Sequence, residues 1–263
     1  VPYHMQRTPQ GKLVIAAVHR GLSNDNELHL FQYAANGSLE WQADVAAQAG
    51  NLTSFAGMQV LDNGDIISFG SSAVVQYAAA RFSSTGALMW SHSGANPFSA
   101  SPRSVAVDAQ GSTYLCFSTN SHVYIRQLDV TGSLIREGQI STPTTGSFYI
   151  PWHCTMVGDR LAILGEHQLA AGLSVPFRML LDNQLNPEYI QVDSTTRGQI
   201  QAMTVASDGT LYGAYLTGNL AAASGARGAL VRRYGIGTVG IGPGQWAGVK
   251  TLRLYPNPAT ETL

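Results

Sequence analysis

The segments NGDIIS, residues 63–68, and RFSSTGALMW, residues 81–90, decide the fold. The first is a turn followed by an apolar run. The second is an alternating strand, a turn around a glycine, and a short strand that ends in tryptophan. Glycine in such turns supplies a positive φ that other residues adopt only with strain. The two segments therefore predict two β-hairpins joined by a loop, which together make one four-stranded unit.

Both segments recur along the chain. The turn of the first segment recurs at intervals of 53, 47, 48 and 50 residues, at Gly11, Gly64, Gly111, Asp159 and Gly209. The second segment recurs at residues 30–41 and 126–135, loses its glycine at 178–186 and is degenerate at 230–237. A period of about 50 residues with four strands per unit is typical of a β-propeller, because a small sheet buries its faces only against neighbouring copies. The sequence predicts an all-β propeller of five four-stranded blades, alone or as part of a larger ring.

The predicted blades give a domain at residues 1–240. They lie near residues 3–55, 56–102, 103–150, 151–198 and 199–240. Residues 235–248 hold six glycines, which predicts the exit of the propeller and a linker at 241–251. A β-sandwich or another β-solenoid is the structural alternative, although neither requires two segments that recur in step five times.

Specific residues connect the repeat to known families. Residues 108–115 read DAQGSTYL, and Gly-x-x-x-Trp endings occur at 37–41 and 86–90. With these residues the repeat resembles bacterial propeller repeats of the seven-bladed SBBP type and, more distantly, PQQ-like repeats. The resemblance implies that Trp41 and Trp90 seal one blade against the next. The repeat pattern itself places Gly64, Gly111 and Gly209 in structural turns of the blades.

A bound quinone does not follow from this resemblance. Quinoprotein enzymes need a vicinal disulfide, or dedicated cationic and metal-binding side chains, around the cofactor. The chain has two cysteines, Cys116 and Cys154, and they are not adjacent. No cofactor is therefore expected. Each cysteine lies in an apolar run, which favours two buried free thiols; the alternative is a single disulfide that joins adjacent blades.

The end of the chain carries a different motif. Residues 252–263 read LRLYPNPATETL, in which a short strand is broken by Pro256 and Pro258. The run Tyr255, Pro256, Asn257, Pro258 resembles the start of the type IX secretion C-terminal sorting domain of Bacteroidetes proteins. The resemblance implies secretion or display at the outer cell surface, with the secretion machinery as a partner. A chance Pro-Asn-Pro turn is the alternative.

Composition excludes several classes of function. The formal net charge is −1, and the 15 basic residues are scattered, which argues against nucleic acid as a partner. No stretch of 18 apolar residues exists, so no membrane span is expected. The seven histidines form no ligand pair, and no nucleophile elbow, Walker motif or dinucleotide fingerprint occurs. We therefore expect no catalytic and no metal-binding residues.

Arginines recur near the same place in successive units. They are Arg81, Arg126, Arg178 and either Arg232 or Arg233. The favoured interpretation is a hydrogen-bonding device between blades. The alternative is a ring of cations around a central channel that binds an anionic ligand.

The leading hypothesis for function is a secreted or cell-surface propeller that acts as a non-catalytic binding or scaffold module of a type IX secretion cargo protein. Its ligand is a glycan or a protein. The rival hypothesis is the propeller of a carbohydrate-active or quinone-type enzyme, which predicts two carboxylates, or a histidine with a carboxylate, at one mouth of the ring. An adhesin that binds protein predicts an exposed aromatic patch.

Overall fold

The structure is a computed structural model that describes residues 2–20, 26–48, 52–72, 76–95, 100–119, 121–141, 147–169, 174–193, 198–206, 210–217, 228–234 and 252–254. The strands are β1 (Pro2–Arg7), β2 (Leu13–Arg20), β3 (Asn26–Tyr33), β4 (Leu39–Asp44), β5 (Leu52–Val60), β6 (Ile66–Ser72), β7 (Gln76–Phe82), β8 (Leu88–Gly94), β9 (Ser101–Val107), β10 (Thr113–Ser118), β11 (His122–Leu128), β12 (Leu134–Ser141), β13 (Phe148–Val157), β14 (Arg160–Gln168), β15 (Ser174–Leu181), β16 (Pro187–Val192), β17 (Gly198–Val205), β18 (Leu211–Thr217), β19 (Gly228–Tyr234) and β20 (Leu252–Leu254). A single helical turn, α1 (Val45–Gln48), follows β4. Within these ranges, no helix is long and apolar enough to cross a bilayer.

The strands form five antiparallel sheets of four strands each, and each sheet takes its strands in chain order. Blade 1 is β1–β4, blade 2 is β5–β8, blade 3 is β9–β12, blade 4 is β13–β16 and blade 5 is β17–β20. The prediction of five four-stranded blades is confirmed. Its physical basis is the hairpin turn, since a short glycine-containing turn can only join antiparallel neighbours.

The fourth strand of blade 5 comes from an unexpected part of the sequence. The sequence motif predicts that Leu252–Leu254 begins a separate sorting domain. In the structure this strand pairs with β19, with Leu252 opposite Val231 and Leu254 opposite Ala229. Without this strand the outer edge of β19 would present unpaired backbone groups, which a short alternating segment satisfies. The predicted linker at 241–251, the motif at 255–258 and Gly209 lie outside the described residues.

The two ends of the blades differ in construction. At one end, every described hairpin closes through a tight turn; the Gly64 N–H donates to the Leu61 carbonyl at 2.9 Å, and the Gly111 N–H donates to the Asp108 carbonyl at 3.0 Å. Gly64 and Gly111 have φ of 87° and 86°, in the left-handed region that favours glycine. At the other end lie the connections from the second strand to the third and from each blade to the next. We call these the turn end and the loop end.

Four clusters of buried apolar side chains lie between successive blades. Between blades 1 and 2, Leu30 packs in one cluster with Phe55 and Ile66. Corresponding clusters fill the seams between blades 2 and 3, blades 3 and 4, and blades 4 and 5. Each sheet from the second to the fourth therefore buries both of its faces against neighbours, as the repeat requires.

Among the described residues, one face of blade 1 does not pack against another blade. Phe31 and Tyr33 alternate with Leu28 and Leu30 along β3 and therefore point away from blade 2. Their rings stack with centroids 6.5 Å apart, and nearby Met5 is 66% exposed. This face is apolar like a seam surface but remains partly exposed.

Trp41 and Trp90 occupy equivalent positions at two seams. Trp41 packs on Gly86 of blade 2, and Trp90 packs on Gly132 of blade 3, so closely that a Cβ on either glycine would lie 2.8 Å from the indole ring. The indole nitrogen of Trp41 donates to the Ser84 carbonyl at 3.0 Å. Each tryptophan therefore contacts the turn of the next blade, as the PQQ-like resemblance implies.

At the seam between blades 3 and 4 this contact is reversed. Arg136 holds the position of the tryptophan, since it pairs with Gln127 as Trp90 pairs with Arg81. Leu185 replaces the turn glycine at φ 67°, an uncommon conformation for leucine. Its side chain is buried and packs on Gly138 of β12, where an added Cβ would lie 2.8 Å from the Leu185 Cβ. The turn now provides the large side chain, and the outer strand provides the glycine.

The recurring arginines, interpreted above as a hydrogen-bonding device between blades, do not make one common contact. Arg81, Arg126 and Arg178 lie five, six and seven residues before the turn positions Gly86, Gly132 and Leu185, so their side chains do not share one face. Arg81 forms a buried ion pair of 2.7 Å with Asp65 of its own blade, and Arg178 Nε donates to Gln191, also within its blade. Arg126 donates to the preceding blade, at the Tyr77 hydroxyl.

We predict that Trp90→Ala destabilises the protein by about 3–5 kcal/mol, because it removes a buried indole that fills the seam between blades 2 and 3. Leu88→Ala in the same strand is the control, since Leu88 is 39% exposed. Its loss should stay below about 1 kcal/mol. Urea unfolding measures both, and a loss below about 0.5 kcal/mol for Trp90→Ala would contradict the packing described.

Candidate ligand-binding site at the loop end

The first strands of the blades lie together around a common axis. Contacts join β1 to β5, β5 to β9, β9 to β13, and β13 to β17. Strands of non-adjacent blades also approach each other. His4 of blade 1 is close enough to His153 of blade 4 for its charge to lower the pKa of His153. Residues on the first strands are therefore brought to the axis from several blades.

Each first strand carries a β-bulge at the same place. The extra residues, which have no cross-strand partner, are Tyr3, Ala56, Arg103, Trp152 and Gln201. A bulge leaves one residue out of the ladder and redirects its side chain, and bulges are common beside active sites. The repeat thus places five such positions around the axis, and two of them, Arg103 and Trp152, are in contact.

Arg103 and Trp152 are in contact between blades 3 and 4. The guanidinium carbon of Arg103 lies 4.8 Å from the centroid of the Trp152 ring. This is a cation–π geometry. Arg103 Nε donates to the Ser118 hydroxyl at 2.8 Å, which fixes the base of the guanidinium. Ser118 is the last residue of β10, so the pair lies toward the loop end.

Glu166 completes the cluster. Its carboxylate accepts a hydrogen bond of 2.8 Å from the Trp152 indole nitrogen. The side chain is only 3% exposed, and this burial raises the pKa of Glu166. Hydrogen bonds from Trp152 and Ser174, and the charge of Arg103, oppose that rise without cancelling it. Burial also lowers the pKa of Arg103, which the charge of Glu166 partly offsets. We call Arg103, Trp152 and Glu166 the loop-end cluster.

The loop-end cluster has hydrogen-bonding capacity left for a ligand. Among the described residues, Ser118 is the hydrogen-bond partner of Arg103, and it engages Nε alone. The two terminal nitrogens therefore keep their N–H groups in the planar fork that matches a carboxylate or sulfate. Chemically, the cluster offers a cationic fork, an aromatic ring and one buried carboxylate.

Histidines lie near the axis but do not assemble a metal centre. Burial lowers the pKa of His4 and of His153, and the His153 ring bonds to the backbone of Gln201. His167 is buried against the Tyr149 ring, with centroids 4.8 Å apart. Within the described ranges, no group of three or more His, Cys, Asp or Glu side chains is placed to hold a metal ion.

The residues that sequence reasoning singled out lie elsewhere. Trp41, Trp90, Gly64 and Gly111 belong to seams and turns, away from the loop-end cluster. The cluster was missed because its members are far apart in sequence. A signal was available nevertheless: Tyr3, Ala56, Arg103 and Gln201 each stand eight residues before a turn glycine, so the repeat itself marks the bulge position.

Comparisons with known proteins identify the architecture. No protein-family profile matches the chain, and no curated protein matches it. Solved structures do match. A virginiamycin B lyase of Staphylococcus aureus, with quinupristin, has a TM-score of 0.55 at 12% identity, over 98% of this chain and 85% of that one. The chain is a β-propeller.

Two further propeller neighbours show the same likeness. A luciferin-regenerating enzyme has a TM-score of 0.55 at 12% identity, over 92% of this chain and 80% of that one. An endo-1,4-beta-xylanase of Bacteroides thetaiotaomicron has a TM-score of 0.50 at 11% identity, over 95% and 93% of the two chains. At these identities the likeness establishes the propeller fold alone.

We predict that Glu166→Gln raises the melting temperature at neutral pH. Because the pKa of Glu166 is raised in the folded state, ionisation of this group opposes folding above that pKa and has no effect below the unfolded pKa. Glutamine removes the charge and can still accept from the indole of Trp152. The gain should shrink as the pH falls to about 4.

Thermal unfolding of both proteins across this pH range measures the effect. Glu188→Gln is the control, because Glu188 forms a part-exposed ion pair with Arg160. A Glu166→Gln protein that is less stable than the wild type at neutral pH would show that the carboxylate is there for stability.

Proposed function

We propose that this propeller is a non-catalytic binding module of a secreted or cell-surface protein, and that its loop-end cluster binds an acidic glycan. The observation that carries the proposal is the Arg103 fork, which is fixed at Nε by Ser118 and has no described partner at its terminal nitrogens. A half-buried cation with open donors is suited to bind an anionic group.

The chemistry of the cluster favours a sugar that carries carboxylate or sulfate groups. Arg103 supplies bidentate donors for the anion, and the Glu166 carboxyl offers a hydrogen-bond partner for a hydroxyl. Because burial raises the pKa of Glu166, its negative charge opposes an anionic ligand less than an ordinary carboxylate would. Connections carried on a rigid frame can supply further contacts to a ligand.

We propose that the site is not catalytic because the loop-end cluster contains too few carboxyl groups. Hydrolysis of a glycosidic bond ordinarily uses two carboxyl groups, about 5–10 Å apart, as acid and as base or nucleophile. The loop-end cluster contains one, Glu166. The neighbours named above include a xylanase, so binding of polysaccharide on this fold has precedent.

A polysaccharide-active enzyme is the second candidate, and one observation favours it. A carboxyl whose pKa is raised by burial is the state that a general acid needs, and Glu166 has that property next to a cation. This candidate differs from the first in one measurable respect, which is the release of product from a polysaccharide.

We predict that Arg103→Gln weakens binding of a polyuronate or a sulfated polysaccharide by roughly 10–100-fold, because a charge-assisted hydrogen bond contributes about 1.5–3 kcal/mol. Isothermal titration with polygalacturonate, dextran sulfate and neutral dextran provides the measurement. Arg160→Gln is the matched control, since Arg160 lies in blade 4 at the turn end and pairs with Glu188.

Three outcomes separate the candidates. Salt-sensitive binding that Arg103→Gln weakens to this extent and Arg160→Gln preserves, without product release, supports the binding module. Release of oligosaccharide that Glu166→Gln abolishes overturns the non-catalytic proposal in favour of the enzyme. Equal affinity for charged and neutral dextrans would overturn the acidic ligand.

We also propose export through the type IX machinery, with the Tyr255–Pro258 run as part of the sorting signal. The support is the sequence motif itself, which follows the glycine-rich residues 235–248. Placement of a binding site on a propeller at the cell surface would expose it to polysaccharides outside the cell.

We expect Pro256→Ala combined with Tyr255→Ala to retain most of the protein inside the cell. The protein is expressed in a host that has type IX secretion, and immunoblots compare cells with medium. Thr262→Ala is the control outside the four-residue motif. Unchanged export of the double variant would show that the motif does not direct sorting.

A further inference from the structure

Two cysteines meet at the seam between blades 3 and 4. Cys116 of β10 is 0% exposed and Cys154 of β13 is 8% exposed, and both belong to the buried cluster that fills this seam. Both are free thiols in the structure. They are 38 residues apart in the sequence and belong to different sheets, so their approach results from blade packing alone.

Ser104 fixes how close the two residues are. Ser104 of β9 is the cross-strand partner of Cys116, and cross-strand Cα atoms lie about 4.5–5.5 Å apart. The same Ser104 accepts, at its hydroxyl, a hydrogen bond of 3.0 Å from the backbone N–H of Cys154. Ser104 therefore contacts Cys116 within blade 3 and Cys154 across the seam, which brings the Cα atoms of the two cysteines toward the separation that a disulfide spans.

We infer that Cys116 and Cys154 form a disulfide across the seam between blades 3 and 4 when the chain folds under oxidising conditions. The inference concerns this covalent link and stands whether or not the loop-end cluster binds a glycan. It is consistent with the export proposed above, since disulfides persist in compartments outside the cytosol.

The contact between the Cys116 and Cys154 side chains supports the inference and indicates at which stage of folding the disulfide forms. The Cys116 thiol hydrogen-bonds with Cys154, and this bond together with burial raises the pKa of Cys116 well above its usual range. A thiolate is the attacking species in disulfide exchange, so the closed seam suppresses reaction in either direction. The bond should therefore form before the seam closes, and resist reduction afterwards.

The reaction balances with a disulfide oxidant. The thiolate of one cysteine attacks a sulfur of the oxidant and releases one thiol, giving a mixed disulfide. The second cysteine then attacks the protein-bound sulfur of that mixed disulfide and releases the second thiol. Two protein thiols lose two electrons and two protons, and one oxidant disulfide becomes two thiols.

The link would act directly on the loop-end cluster. Arg103 precedes Ser104, and Trp152 stands two residues before Cys154, so the disulfide would join blades 3 and 4 next to the two bulge positions that are in contact. Fixing β13 relative to β9 and β10 would hold the ring of Trp152 beneath the guanidinium. This consequence rests on the proposed function, whereas the disulfide itself does not.

The test uses the whole chain without any substitution. The protein is unfolded with reductant and refolded in a mixture of reduced and oxidised glutathione, then denatured, alkylated with iodoacetamide and digested. We expect an intramolecular Cys116–Cys154 peptide pair and little alkylation at either position. Folded, reduced protein placed in the same mixture should stay mostly alkylatable once it is denatured.

Alkylation and thermal unfolding each test whether the Cys116–Cys154 disulfide forms. Full alkylation of both cysteines after oxidative refolding, or glutathione adducts in place of the pair, would overturn the inference. Thermal unfolding supplies an independent measure: wild type refolded in the glutathione mixture should melt several degrees higher than wild type refolded in reductant, whereas Cys154→Ser and Cys116→Ser should each melt at the same temperature after both treatments. Equal melting temperatures for the two wild-type preparations would also count against the link. Neither measurement involves a glycan, so failure here is distinct from failure of the proposed function.

Discussion

Each four-stranded sheet has two apolar faces and cannot bury either of them by itself. This constraint organises the molecule. Val14 and Leu30 of blade 1 are buried because they pack against Phe55 and Ile66 of blade 2. Apolar side chains are buried between adjacent blades at the next three seams in the same way. Stacking then brings the first strands together around an axis, so the geometry at the centre is a consequence of packing between sheets.

The seams also supply the site. A bulge in each first strand turns one side chain out of the ladder, and the stacking of blades 3 and 4 sets Arg103 over Trp152. Glu166 is then buried beside them, at a position where burial opposes its charge. The turn end, by contrast, is closed by tight hydrogen-bonded turns such as the one at Gly64. The two ends therefore differ, and the loop-end cluster lies at the end where the blades are connected to one another.

Sequence periodicity was sufficient for the strands, since turn glycines such as Gly111 and the alternating runs have a local physical cause. Periodicity was insufficient where contacts between residues far apart in the sequence determine the structure. Leu252–Leu254 was assigned to a separate domain because the free edge of β19 is not visible in sequence. Arg81 and Arg126 seemed equivalent because one residue of register, which reverses the face of a strand, is lost in an approximate repeat. The loop-end cluster was missed because its members meet only through blade packing.

The reversed contact at Leu185 has a consequence for assembly. Blades 1 and 2 present a tryptophan to a glycine, whereas blade 3 presents Gly138 to a leucine. A blade bearing a tryptophan cannot sit in front of Leu185, because two large side chains would claim the same volume. A blade with Arg136 in place of the tryptophan would not provide the indole that packs on Gly86. The sheets are therefore not interchangeable modules, and the chain encodes their order of neighbours by shape as well as by connectivity, which penalises rings in which similar blades have exchanged places.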